Sequence, residues 1–176
     1  MSGQLNLGPQ AAKMEGAVIY LFGATGDLAK RKLYPALFSL YKEGKLAEDF
    51  AVVGLARRPR TDEQFRADVL ASIQEFCRYK PDDEELWSRF EKHFVYMSLD
   101  IHNLEGFREL VALTQRLEAQ FEIPGNRLFY LALAPELFGP VSFNLREGGL
   151  LETAGWHRLV IEKPFGYDRE SARELN

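Results

Sequence analysis

Residues 17–29 read AVIYLFGATGDLA: six apolar residues, a glycine-bearing turn, then the start of a helix-forming sequence. An unbroken apolar run rich in β-formers and closed by glycine is the pattern of a strand buried on both faces. The segment that follows, residues 28–41, is helical by spacing, with Leu33, Leu37, Leu40 and Tyr41 on one face and Gly44 as its stop. Pro35 interrupts it, which predicts a short first turn and then a kink, or a restarted helix with proline near its N-terminus. A buried strand feeding a helix through a glycine turn is the opening of a parallel β-α-β unit.

The same alternation continues along the chain. Residues 50–55 (FAVVGL) form a second buried-type strand, and Thr61 with Gln64 three residues later makes a capping box for a helix whose buried stripe is Phe65, Val69, Ile73 and Phe76. Pro81 opens a shorter acidic helix ending near Phe90, and residues 94–99 (FVYMSL) are a third strand. Residues 104–121 form an amphipathic helix with Phe107, Leu110, Val111, Thr114 and Leu117 on one side. A turn at residues 123–126, a strand at 127–133, a helix at 135–146 and a strand at 158–161 follow, and residues 168–176 start a further helix. Strands alternating with helices imply right-handed crossovers and a parallel sheet covered on both faces. The expected fold class is therefore α/β: one domain built on a Rossmann-like, doubly wound parallel sheet.

Composition narrows the partners. The 176 residues suffice for one well-cored domain, and 22 basic against 26 acidic residues leave a net charge of −4. Binding to nucleic acid by phosphate neutralisation would show a basic excess, so none is expected, although a local basic pocket remains open. The single Cys77 excludes an intrachain disulfide and any multi-cysteine metal site, which points to the cytoplasm. No apolar run approaches the roughly 20 residues of a membrane helix. Residues 1–14 lack the charged start and apolar stretch of a signal peptide and read as a mobile tail before a domain spanning 15–176. His93, His102 and His157 have no metal-ligand spacing and read as structural or surface residues; Trp87 and Trp156 read as core or edge anchors.

The chemistry collects at strand ends. Gly23-Ala24-Thr25-Gly26-Asp27-Leu28-Ala29 has the spacing G-x-x-G-x-x-A at a strand-to-helix turn. Glycines there permit a tight turn and close approach of backbone to a pyrophosphate, whose charge is met by free N–H groups at the helix start, while Ala29 takes the small-residue position where helix meets strand. The second strand ends Gly54-Leu55-Ala56-Arg57-Arg58-Pro59-Arg60. An NAD site would place a carboxylate here for the ribose hydroxyls; guanidinium groups instead suit a 2′-phosphate and favour NADP. Asp100 closes the third strand, where it either faces the adenosine part of a cofactor or caps the helix beginning near Leu104. Lys163, fixed by Pro164, is either held over the sheet edge or a surface lysine.

GATGDLAKRKLYPALF (residues 23–38), FAVVGLARR (50–58), NRLFYLALAP (126–135) and LVIEKPFG (159–166), in that order, closely resemble the N-terminal coenzyme-binding domain of the glucose-6-phosphate dehydrogenases, over residues 15–176. The resemblance implies NADP-dependent oxidation of glucose 6-phosphate to 6-phosphogluconolactone in the pentose phosphate pathway, by a cytoplasmic homodimer or homotetramer. It implies cofactor contacts from Gly23, Ala24, Thr25, Gly26, Asp27, Leu28, Ala29 and Lys30, with Thr25 also near the adenosine 2′-phosphate. Arg57 and Arg58 would grip that phosphate, and Asp100 and Ile101 would line the adenine side. Lys163 would touch both cofactor and substrate, and Lys32 would lie close to the substrate phosphate. Phe138 stands where some members carry a tyrosine near the nicotinamide. The family's catalytic histidine belongs to an R-I-D-H-Y-L-G-K-E segment expected after Asn176, so the resemblance implies a cofactor half without its base and without the substrate domain, inert by itself. The alternative of another class is a stand-alone nucleotide-binding regulatory module.

Overall fold

In a computed structural model, residues 14–162 are described. Five strands, β1 (Val18–Phe22), β2 (Ala51–Ala56), β3 (Phe94–Ser98), β4 (Arg127–Leu131) and β5 (His157–Ile161), form one sheet in the order β3-β2-β1-β4-β5, with every pair parallel. The central strand β1 is buried along its whole length. Its side chains alternate: Val18, Tyr20 and Phe22 enter one core, Ile19 and Leu21 the other.

Each core is closed by its own helices. On the Tyr20 face, α4 (Leu104–Gln120) and α5 (Phe138–Glu147) contribute Phe107, Leu110, Leu117, Val141 and Leu145. On the Ile19 face, α1 (Tyr34–Lys42), α2 (Asp62–Phe76) and α3 (Glu84–Glu91) contribute Tyr34, Phe38, Tyr41, Phe65, Val69, Ile73 and Phe90. The sheet is thus doubly wound. Between β1 and β4 the strand order changes direction, the place where such sheets open a crevice at their carboxyl edge. No helix among the described residues is long and apolar enough to cross a membrane.

Two buried polar pairs tie helix α4 to the sheet. Thr114 donates its hydroxyl hydrogen to the Leu110 carbonyl (2.8 Å), so Tyr20, 2.7 Å away, is the donor to Thr114 Oγ1. Arg127 meets Glu118 through two bonds, Nε–Oε1 at 2.9 Å and Nη2–Oε2 at 3.2 Å, and gives Nη1 to the Leu150 carbonyl. A buried guanidinium is tolerable because each of its faces has an acceptor.

Several expectations are corrected. Helical backbone spans residues 27–42, but residues Ala29–Leu33 form a widened π-turn before α1, in which Tyr34 donates to the Ala29 carbonyl. Pro35 supplies no N–H to the ordinary ladder, and the wider turn accommodates it. The change of phase rotates the buried face to Tyr34, Phe38 and Tyr41, leaving Leu33 and Leu37 half-buried and Leu40 exposed. Gly44 does end the helix, at φ +68°. Phe76 is half-buried under the Arg31 guanidinium, and Ser72 joins the buried stripe of α2. The acidic helix starts not at Pro81 but after Asp83, which accepts from the Leu86 amide. Asp100 does not cap α4. Asn103 does, accepting from the Glu105 amide. Residues 135–137 are a 3-10 turn leading into α5. Met14, placed in the tail by sequence, donates its amide to the Lys45 carbonyl and packs on the core. The predicted helix at 168–176 lies outside the described residues.

Candidate functional site

A cleft of about 660 Å³ opens at the carboxyl ends of β1, β2, β3 and β4. Four segments wall it: Phe22, Gly23, Thr25 and Lys30 after β1; Arg57, Arg58 and Arg60 after β2; Asp100, Ile101 and His102 after β3; Leu133 and Leu137 after β4. Each stands there because parallel strands deliver their next loop to the same edge.

The glycine turn is fixed from three sides. Gly23 sits at φ +86°, and a Cβ on it would lie 2.3 Å from the Ala132 carbonyl oxygen, so no other residue fits between β1 and the end of β4. The amides of Gly23 and Ala24 donate to the Leu55 carbonyl, and Gly26 closes the turn on the Gly23 carbonyl at 2.9 Å. Tyr34 reaches back from α1 to give its hydroxyl hydrogen to the Ala24 carbonyl. Burial holds that phenol far above its ordinary titration range, so it stays a donor. Among the hydrogen bonds of the described residues, the amides of Thr25, Asp27 and Leu28 have no acceptor. Unpaired amides at the start of a helix are the usual ligands of an anion.

The opposite wall is cationic. Arg60 is committed to Asp68, whereas Arg57 and Arg58 are exposed and have no carboxylate partner among the described residues. Lys30 stands across the cleft. Asp100 accepts from the His102 amide at 3.0 Å, a turn that presents Ile101 to the cleft. A pyrophosphate and a further phosphate fit this donor set: backbone amides on one side, two guanidinium groups without carboxylate partners among the described residues on the other, apolar walls from Leu55, Leu99 and Leu133 between them.

The structure brings Gly23, Thr25, Lys30, Arg57, Arg58, Asp100 and Ile101 to one cleft. It does not bring the others. Ala24 and Ala29 are buried in the core on the Ile19 face. Gly26 and Asp27 are exposed beside the cleft, and Asp27 is paired with Arg31 Nε at 2.8 Å. Leu28 lines a smaller neighbouring hollow with Pro135, Phe138 and Glu162. Lys32 is exposed and is not part of the cleft wall. Lys163 lies outside the described residues. Sequence reasoning missed His102 and the apolar walls Leu55, Leu99, Leu133 and Leu137, because a leucine at a strand end carries no chemical signature.

A parallel sheet in the order 3-2-1-4-5, with a glycine turn after its first strand and a cleft at the switch of direction, defines a nucleotide-binding domain of the Rossmann type. The family described as "Glucose-6-phosphate dehydrogenase, NAD binding domain" matches residues 20–176. The chain belongs to the glucose-6-phosphate dehydrogenase family. It is 49% identical over 160 residues to the glucose-6-phosphate 1-dehydrogenase of Bacillus subtilis, covering 91% of this chain and 32% of that one. With that of Leuconostoc mesenteroides the identity is 42% over 158 residues, covering 90% and 32%. A solved structure of a glucose-6-phosphate dehydrogenase in complex with its substrate glucose 6-phosphate superposes with a TM-score of 0.82 at 36% identity, covering 95% of this chain and 34% of that one. The chain spans about a third of the length of the curated relatives it matches.

Proposed function

We propose that this chain is the coenzyme-binding part of a cytoplasmic glucose-6-phosphate 1-dehydrogenase and takes NADP in preference to NAD. The observation that carries this reading is the pair Arg57 and Arg58, without acidic partners among the described residues, at the end of β2 where an NAD site would hold a carboxylate. In this reading the turn from Gly23 to Lys30 receives the pyrophosphate through the amides of Thr25, Asp27 and Leu28, which have no acceptor among the described residues. Arg57 and Arg58 take the adenosine 2′-phosphate, and Thr25 faces the same cleft from the glycine turn. Asp100 and Ile101 border the adenine.

The nicotinamide cofactor would accept the hydride from the sugar. What the chain itself does is hold and orient it. Lys163 and Lys32 are the residues proposed to meet glucose 6-phosphate, and the proton acceptor is proposed to lie beyond residue 176. The assembled enzyme is proposed to be a homodimer or homotetramer, with partners limited to these small molecules.

The test is an absorbance assay for NADPH with glucose 6-phosphate. The 176-residue chain is expected to give no turnover while still binding NADP; turnover by this chain would overturn the placement of the base outside it. The second reading, a stand-alone regulatory module, rests on the same nucleotide cleft and would be favoured if the natural protein ended at residue 176.

A further inference from the structure

The two arginines of the cleft do not hang from a free loop. Three successive carbonyls, from the last residue of β2 onward, are each taken by a donor from β3 or from Leu99 just after it. Leu99 N–H donates to the Ala56 carbonyl at 2.9 Å, Ser98 Oγ donates to the Arg57 carbonyl at 2.8 Å, and Tyr96 Oη donates to the Arg58 carbonyl at 2.6 Å. Tyr96 and Ser98 are two residues apart on one strand, so their side chains leave the same face of the sheet, the one toward which the arginine segment turns. The far end of that segment is tied to the same strand, since the Tyr96 amide donates to Asp62 Oδ1 at 2.7 Å. The Tyr96 ring is held in turn by the Phe65 ring, with centroids 5.4 Å apart.

We infer that Tyr96 and Ser98 are positioning residues for cofactor selection: their hydroxyls fix the carbonyls of Arg58 and Arg57 and so aim both guanidinium groups into the cleft. Neither touches the cofactor in this account. With the backbone pinned, little freedom is lost when the guanidinium groups engage a phosphate, and the gain falls only on the cofactor that carries a 2′-phosphate. NAD, lacking that phosphate, is indifferent to how the arginines are aimed. A hydroxyl that merely stabilised the fold would affect both cofactors alike. The inference rests on the reading of Arg57 and Arg58 as 2′-phosphate ligands.

The experiment is calorimetric titration of NADP and of NAD into the 176-residue chain and into Tyr96→Phe, Ser98→Ala, Ser98→Thr, the double variant Tyr96→Phe/Ser98→Ala, and Arg57→Ala, with thermal midpoints measured on each. The double variant is expected to lower the ratio of NADP to NAD affinity by about tenfold, the equivalent of one or two positioning hydrogen bonds, with NAD affinity unchanged. Ser98→Thr, which keeps the hydroxyl, is expected to keep the ratio. An unchanged ratio in the double variant, or an equal loss for both cofactors, would overturn the positioning role. An unchanged ratio in Arg57→Ala would instead overturn the reading on which it rests.

Discussion

Tyr34, a helix residue with its ring sealed in the core, donates its hydroxyl hydrogen to the carbonyl oxygen of Ala24 in the glycine turn. The bond links α1 to the loop that ends β1, and it withdraws one carbonyl from the mouth of a site built to receive an anion. Tyr34→Phe keeps the ring and its edge contacts with Phe65 and Phe94 but leaves a buried carbonyl without that donor. The expected loss is about 1–2 kcal/mol of stability. Chemical denaturation checks it, and a change within error would show that the bond contributes nothing.

Gly23 is required by backbone geometry at φ +86° and by the Ala132 carbonyl, 2.3 Å from where a Cβ would stand. Gly26 has no positive φ, and its Cβ would meet only the Gly23 carbonyl at 3.1 Å. Gly23→Ala is therefore expected to destabilise the domain by more than about 2 kcal/mol, from left-handed strain plus displacement of the β4 end, and Gly26→Ala by distinctly less. Thermal melts of the two variants side by side decide it. Equal losses would count against the geometric account of Gly23.

His93 supplies a pH dependence. Its Nδ1 donates to the Phe50 carbonyl at 2.8 Å and its ring stacks on Phe50, while Nε2 is buried without a hydrogen-bond partner, 3.5 Å from a Glu48 carboxylate oxygen. Burial pushes the imidazole below its ordinary value; the Phe50 carbonyl and Glu48 pull the other way, and Lys92 adds to the depression. A pKa lowered by folding means that the unfolded chain takes up the proton first, so this stability is fully present above the unfolded value of about 6.5 and is lost as pH falls from there through the lower folded value. The thermal midpoint is expected to drop between pH 7.5 and 5.5 more steeply in the parent chain than in His93→Gln. Parallel slopes would remove His93 as the cause.

Much of this architecture is legible in the sequence, for identifiable reasons. The run at residues 17–22 reads as a two-sided strand because it is one, at the centre of the sheet. Thr61 and Gln64 read as a capping box, and both of its bonds form. The face of α1 is misread because a 3.6-residue period is carried through a segment that contains a π-turn. Tyr34, Phe38 and Tyr41 have the right spacing by themselves once the helix is restarted at Tyr34. Asp100 and Asn103 compete for one cap, and the residue immediately before the helix takes it. Arg57 and Arg58 are legible as cations at a strand end; that Arg60 is neutralised by Asp68 is not, because the pairing depends on how α2 packs back over the loop.

The cationic wall of Arg57 and Arg58 carries the proposed cofactor preference. Calorimetric titration of the 176-residue chain with NADP and with NAD, repeated on Arg57→Ala, measures its contribution. NADP is expected to bind more tightly than NAD by at least about tenfold, roughly one charge-assisted phosphate contact, with that preference lost in Arg57→Ala. Equal affinity of the parent chain for the two cofactors, or a preference untouched by Arg57→Ala, would contradict this role of the wall.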